Sequence, residues 1–539
     1  MLYATDASIY QVAPLGVVIP RDIETMVRIV KYCGRHKLAL LPRGGGTSLP
    51  GQCTNRAVVV DHSAYCREVL AVDPVQRTCD VEPGITIDDL NRELERRRQE
   101  AVASGQSPGL EGSEWGGGLF FAPDPATAAQ ATIGGCIGNN AAGARSIRYG
   151  RTVENVAALN VILTNGDRTW LEAGAGQQSV IAKALAEKVI NVVRRYEKQI
   201  RERYPKTTRR NAGYALDLIL QQLDKGVTAA DLDLTGLLCG SEGTLAVVLG
   251  ARLRLHPIPR SKGLAIASFA TLEDAIQAVV PILKTGPSAV ELLDDVVLGA
   301  ARGNPECRTY MDLLAEVAGT APAAVLYVEY QETGPQAQVV EKFAALERVL
   351  PQVPIRKYLD QPALLRAWAL RKAGEPLLHG LAAARKPVTC VEDNAVPVER
   401  LVEFVARFKQ IIAKHGTTAA YYAHASVGVL HVRPLLNLHD EADLDRLRAI
   451  AVEVADLARE CGGVMSGEHG DGRLRGPLLE HFYGTELMQA FREIKAIFDP
   501  AGVLNPGNIV GAGPIASITE QLRIKPAGVP LHWPDGDGH

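Results

Sequence analysis

The sequence contains no Cys-x-x-Cys. Its nine cysteines, at 33, 53, 66, 79, 136, 239, 307, 390 and 461, are odd in number and widely spaced. That leaves no ligand pattern for an iron–sulfur cluster or a cysteine zinc site, and the thiols read as reduced packing residues. There is no basic surplus either: 58 Lys and Arg stand against 61 Asp and Glu, a formal charge of -3. The electrostatic draw onto nucleic acid or anionic lipid is therefore missing. No run of about 18 uncharged apolar residues could span a bilayer. The opening MLYATDASIY lacks the basic region and apolar core of a signal peptide. The expectation is a soluble, cytoplasmic protein, peripheral to a membrane only through a partner. Internal repeats and low-complexity tracts are also absent. What remains is 539 residues, 47% of them hydrophobic, enough at ~100–200 residues per domain for two to four units and a buried cofactor.

From about 12 to 110, short apolar runs alternate with helical patterns. VVIP precedes a helix with Ile23, Met26, Val27 and Val30 on one face, ending near Gly34; LALLP then leads into a glycine loop, and AVVVD follows. This is β-α-β organisation. Residues 152–172 hold two extended runs joined by Asn165-Gly166, a pair suited to a tight hairpin turn, so the sheet is not purely parallel. After LRLHPIPRS the texture changes to runs such as LAIASFA and AVLYVEY beside amphipathic helices, which places a boundary near 258. Two later helices carry Leu401, Phe404, Val405, Phe408, Ile411 and Ile412, then Leu444, Leu447, Ile450, Ala451, Val454 and Leu457, at a 3.6-residue period. The middle segment reads as an α+β unit whose sheet has helices on one face. Beyond 514, a Pro- and Gly-rich stretch reads as an extended arm or linker.

Three glycine-rich stretches suggest an anionic cofactor. PRGGGTSLPGQ (42–52) follows a strand and lets consecutive backbone N–H groups converge on an anion, although a tight turn is an equal alternative for such a loop alone. It has neither the Rossmann spacing, with leucine at 49, nor the Gly-Lys-Ser/Thr of a Walker loop. A second stretch, PDPATAAQATIGGCIGNNAAGARSIRYGRTVENV (123–156), is read as too rich in glycine for a stable helix. GSEGTLAVV (240–248) is a turn entering a strand.

In this order and at these distances, the three stretches resemble the FAD-linked oxidase family with the vanillyl-alcohol-oxidase or PCMH-type flavin fold. Within it, the chain is similar from about residue 5 to 512 to the D-2-hydroxyacid dehydrogenases, which include D-lactate and D-2-hydroxyglutarate dehydrogenases and the glycolate oxidase FAD subunit. The resemblance implies an α+β fold: an FAD-binding domain of two α+β subdomains (1–258), and an α+β cap or substrate domain with an antiparallel sheet (259–460). A C-terminal helical segment (461–512) would return to the flavin, and 513–539 would be tail or linker. It implies FAD held by Pro42, Arg43, Gly44, Gly45, Gly46, Thr47, Ser48, Gly51 and Gln52. Further contacts fall on Pro123, Asp124, Thr127, Thr132, Gly134, Gly135, Gly138, Asn139, Asn140, Gly143, Tyr149, Glu242, Gly243, Val247 and Asn505. The first loop has no histidine or cysteine for a flavin bond, so the FAD is expected to be noncovalent.

The chemistry-bearing residues lie late in the chain. YYAHASVGVLHVRP places His424 and His431 seven apart, which on one strand would face them oppositely; a turn at Ser426 to Gly428 would let them converge. Together with Glu468 of GEHGDG they form a two-imidazole, one-carboxylate set with coordination sites to spare. The resemblance implies that this set binds a divalent ion, zinc first with manganese or iron as alternatives, and that His469 is the general base. A 2-hydroxy acid chelated there would lose its hydroxyl proton to His469 while hydride passes to flavin N5, giving a 2-oxo acid. Arg371, in LLRAWALRKAGEPLL, matches the family arginine for the substrate carboxylate; without that match it is a solvated helix arginine.

Two departures set the chain apart. Where hydroxyglutarate enzymes have H-L-N, it has His431-Val432-Arg433, adding Arg433 as a candidate cation; their threonine and lysine positions hold Glu375 and Val391. The motifs look closest to the long members that carry an iron–sulfur half after the flavin half. The chain is expected to be an FAD subunit passing electrons to an iron–sulfur or quinone-linked acceptor, or the FAD half of a longer protein; a homo-oligomer is also compatible. Alternatives are an oxidase of another alcohol or ether on the same fold, and a non-catalytic FAD electron-transfer subunit.

Overall fold

Apolar strands in the first 60 residues pair side by side in parallel, as their β-α-β spacing predicts. In this computed structural model, which describes residues 2–104, 117–379 and 384–524 and no side chains of 374–379, Val58–Asp61 lies between Gly16–Val18 and Leu40–Arg43, parallel to both. The helix Ile23–His36 crosses between them. Asp22 caps its start by accepting the Thr25 N–H at 2.6 Å. Its buried face, Met26, Val27, Val30 and Cys33, packs on Leu40, Val60, Ile162 and Val247.

A five-stranded antiparallel sheet adjoins this unit, in the order Val69–Asp73, Thr78–Val81, Val247–Arg254, Val156–Ile162, Arg168–Leu171. The expected Asn165-Gly166 turn joins the last two, with Gly166 at φ 92°. The second glycine-rich stretch differs from its reading as a loop. Ile133–Asn139 is a helix, capped by Thr132 Oγ1 at 3.1 Å from the Gly135 N–H, with Ile133, Cys136 and Ile137 buried. Packing and the cap outweigh glycine's cost of about 1 kcal/mol per residue.

The second half is an eight-stranded sheet, antiparallel throughout. Its long path runs Ile355–Tyr358, Ser261–Phe269, Ala324–Glu332, Ala289–Leu293, Ala419–His424, Val429–Leu436 and Lys386–Pro387. Helices cover both faces, not one. Ala265, Ala267, Leu326 and Val328 face the helices Leu272–Leu283 and Gln336–Val349. Leu264, Ile266, Val325 and Tyr327 face Asp295–Gly303 and Gln361–His379. Strands such as Ala324–Glu332 are apolar at nearly every position because both sides are buried.

The chain then returns to its first half. The helix Thr485–Phe498 packs on Val180–Arg195, and Leu504 pairs in parallel with Leu40. Past 514, the described residues are not a free arm: Tyr10 donates its hydroxyl to Ile518 O at 2.7 Å, and Leu522 pairs with Tyr10. Of SGQSPGLEGSEWGGGLFFAPDP, residues 105–116 lie outside the described ones, as do 525–539. Among the described residues no helix is long and apolar enough to cross a membrane.

Candidate active site

A cavity of about 630 Å³ lies where the glycine-rich stretches meet the eight-stranded sheet, within the ~300–1,000 Å³ usual for ligand sites. Pro42, Gly44, Gly45, Gly46, Thr47, Ser48 and Gln52 line it, with Asp124, Thr127, Thr132, Gly134, Gly135, Gly138, Asn139, Glu242 and Gly243. Its glycines serve two purposes. A Cβ on Gly44 would sit 2.1 Å from Thr132 Oγ1, and one on Gly45 would sit 2.1 Å from Gln130 O, so these two let the glycine-rich stretches touch. A Cβ on Gly138 would meet nothing nearer than Gly243 N at 3.9 Å.

Other expected cofactor residues do not line the cavity. Arg43 donates to the Thr5 and Cys53 carbonyls at 2.9 and 3.0 Å. Gly51, at φ 89°, backs onto Tyr10, and Gly143 presses on the backbone of Asp124 beside the buried Pro123. Asn140 caps the helix Ile133–Asn139, Tyr149 donates to Gln331 Oε1 at 2.9 Å, and Val247 is core. Asn505 donates to the Gln52 and Glu242 carbonyls at 3.1 and 2.8 Å, tying two walls from behind.

The two histidines converge through the expected turn. Ala419–His424 and Val429–Leu436 are a hairpin with Tyr422 opposite His431 and His424 opposite Val429, joined through Ala425–Val427 and Gly428 at φ 71°. His424 and His431 thus share a face, with ring centroids 5.0 Å apart. Their Nε2 atoms lie 3.0 and 3.4 Å from Glu468 Oε1, and the three side chains offer ligand atoms within 4.8 Å of one another.

GEHGDG is held from every side. Asp393 accepts the Glu468 and His469 N–H groups at 3.0 and 2.7 Å and the Ser466 hydroxyl at 2.6 Å. Glu242 accepts the N–H groups of Asp471 and Gly472 at 2.5 and 3.1 Å. Gln52 Nε2 donates to His469 O at 2.8 Å, and Asp471 accepts the Gly213 N–H at 2.7 Å. Gly470 adopts φ 91°, and a Cβ there would lie 2.5 Å from Glu242 Oε1.

Charged neighbours absent from the sequence reading complete the cluster. Glu291, fully buried, accepts from His424 Nδ1 at 2.9 Å and from Arg371 Nε at 2.9 Å. Arg371 therefore reaches the cavity already paired. Arg209 donates to Glu468 Oε2 at 2.5 Å. His469 Nδ1 lies 2.6 Å from Glu392 Oε1. Arg433 does not line the cavity; it is fully buried, 3.5 Å from Glu392 and over the Tyr422 ring. Val391 is buried, and the Glu375 side chain lies outside those described. Burial alone would lower the His424 and His469 pKa values, but Glu291 and Glu468 raise the first to about 9, and Glu392 and Asp393 raise the second to about 10. Glu468, despite its burial, is held well below the usual carboxylate range by His424 and Arg209. A lone acid in the apolar run AVELL and the paired acids of VEDNAV were the available signals for Glu291 and Glu392.

Comparison with known proteins identifies the family. Residues 14–109 and 114–172 match the FAD binding domain, and 258–509 match the C-terminal domain of FAD linked oxidases. The chain belongs to the FAD-linked oxidase family. It is 30% identical over 524 residues to D-2-hydroxyglutarate dehydrogenase of Pantoea ananatis, covering 94% of this chain and 49% of that protein. The chain thus spans about half the length of such relatives. It is 28% identical to glycolate oxidase subunit GlcD of Bacillus subtilis, over 94% of this chain and 92% of that one. Among solved structures, p-cresol methylhydroxylase aligns with a TM-score of 0.61 at 16% identity, covering 94% of this chain and 92% of that chain. The 4-ethylphenol oxidase of Gulosibacter chungangensis gives 0.60 at 16%, over 92% and 89%. The fold is that of the PCMH-type flavoproteins.

The residues fit the family's FAD. Gly138 leaves open space where a Cβ would project, and both ring nitrogens of the buried, cavity-lining His62 lack a hydrogen-bond partner. The mixed nitrogen and oxygen donors of His424, His431 and Glu468 also suit a divalent cation.

Proposed function

We propose that this FAD-linked oxidase converts a D-2-hydroxy acid to the 2-oxo acid, using His424, His431 and Glu468 to hold a divalent cation, zinc in the first instance. The observation that carries this reading is the convergence of those three side chains beside His469 on the wall of the FAD cavity. FAD supplies the hydride acceptor, and a cation at the cluster would lower the substrate hydroxyl pKa and the proton affinity of His469 together.

The chain's own residues account for the rest. His469 takes the hydroxyl proton, with its ring fixed by Glu392 and its backbone by Asp393. Arg371, stacked over Tyr422 and paired through Nε and Nη2 with Glu291, keeps its Nη1 donors for a carboxylate. The surrounding burial strengthens each of these charge contacts by excluding water. Names of relatives support the substrate class: one set is called D-2-hydroxyglutarate dehydrogenase and another glycolate oxidase subunit. Electrons then leave through an iron–sulfur or quinone-linked partner.

The test is anaerobic mixing of the FAD-loaded protein with matched D- and L-2-hydroxy acids. Selective bleaching of the flavin by one or more D-acids is expected, with a 2-oxo acid as product. An oxidised flavin after every D-acid would sink the reading.

A further inference from the structure

Behind the cluster lies one carboxylate that serves two imidazoles. Glu392 is fully buried. Its Oε1 lies 2.6 Å from His469 Nδ1. Its Oε2 faces His431 Nδ1 at 3.6 Å, just beyond hydrogen-bond length, and neither of those two buried atoms has a hydrogen-bond partner. The stacked rings of His431 and His469, 5.2 Å between centroids, present their Nδ1 edges to the same carboxyl group.

We infer that Glu392 is a positioning residue that fixes both rings with the proton on Nδ1. This leaves Nε2 of His431 for the cation set and Nε2 of His469 for the substrate proton. The inference rests on the proposed function for the roles of those two Nε2 atoms. With a cation at the cluster lowering the proton affinity of His469, a neutral imidazole has one donor and one acceptor nitrogen, so a carboxylate on Nδ1 decides which is which. Carboxylates behind metal-bound imidazoles act in this way.

A competing use of the same atoms is an ion held by Glu392, His431 and His469, whose ligand atoms also converge within 4.8 Å. The surroundings favour positioning. The guanidinium groups of Arg433 and Arg475 lie 3.5 and 3.7 Å from the Glu392 carboxylate, and Arg475 also donates to its carbonyl at 2.5 Å. Two fixed positive charges beside it repel a further cation while steadying the carboxylate. Glu468 differs: Arg209 occupies its Oε2, and Oε1 faces the two histidines.

The test is Glu392→Gln in the FAD-loaded protein. The amide keeps one acceptor oxygen but turns a donor toward the other ring, so it can satisfy only one of the two Nδ1–H groups. Three readouts are needed: Zn²⁺ affinity by calorimetry, turnover, and ¹⁵N spectra of labelled histidine. The variant should keep its FAD, bind Zn²⁺ about 10- to 100-fold more weakly and lose turnover by a similar factor, with KM little changed. The ¹⁵N pattern of two histidines should change. Unchanged Zn²⁺ affinity together with unchanged histidine spectra would overturn the inference whatever happens to turnover. The spectra need no substrate, so a parent protein that oxidises no hydroxy acid would defeat the proposed function and leave this test standing. If Glu392→Gln does not fold, Glu392→Asp, which withdraws the carboxylate by one methylene, should give the same changes, and parental affinity and spectra there would be equally decisive.

Discussion

Gly470 shows how closely the loop Gly467–Gly472 is specified. Its φ of 91° and the 2.5 Å approach to Glu242 Oε1 leave no room for a Cβ. Gly470→Ala should destabilise the protein by about 1–3 kcal/mol, read by denaturant midpoint, and lower turnover by displacing His469. Glu468→Gln should cut Zn²⁺ affinity and turnover by about 10- to 100-fold while FAD content holds, because the amide is a poor ligand and leaves Arg209 unpaired. Gly45→Ala and Gly138→Val separate the two kinds of glycine. The first should impair folding through Gln130 O, and the second should block FAD binding with the apoprotein's melting temperature nearly unchanged. The histidines and Glu468 were legible because their residue types are chemically narrow. Glu291, Glu392, Asp393 and Arg209 were not, since their roles depend on contacts made across tens to hundreds of positions.

Among elements, the hairpin of Ala419–His424 and Val429–Leu436 does the most to build the site. Its register brings His424 and His431 to one face, and Gly428 fixes it: a Cβ there would sit 1.9 Å from Val396 O. Gly428→Ala should therefore weaken Zn²⁺ binding and lower the melting temperature, with FAD content as the control. The turn was readable from Ser426 to Gly428, but its partner strand was not. The helix Ile133–Asn139 was misread because propensity ignores the Thr132 cap and the buried Ile133 and Ile137. Likewise, near-continuous apolar strands announced burial, yet only the alternating contacts of Leu264 and Ala265 show that helices cover both faces.

At the scale of the whole molecule, the cavity depends on two halves staying in contact. Arg145 bridges them, donating to Asp124 at 2.8 Å on one side and to Glu329 at 2.7 and 2.8 Å on the other, with Trp368 beneath. Buried acids make the assembly sensitive to alkali. Burial raises Glu242 to about 8 and Asp471 and Asp294 to about 7. Folded, these acids keep protons that the unfolded chain releases, so stability falls as pH rises through the interval between their unfolded and folded pKa values. The denaturant midpoint of the ion-free protein should thus decline from about pH 5 to about pH 8, the span those shifts cover. The raised His424 and His469 act in the same direction, and a midpoint rising over that range would contradict the upward shifts of these five groups.

If the ion cluster and the flavin act on one substrate, removing the ion must stop flavin reduction. The FAD-loaded protein is stripped of divalent ions, mixed anaerobically with a D-2-hydroxy acid that bleaches the untreated protein, and then given Zn²⁺ or Mn²⁺. Flavin reduction should be slow or absent before the addition and restored after it, with no restoration in Glu468→Gln. Full-rate bleaching in the stripped protein, unaffected by added ion, would contradict it.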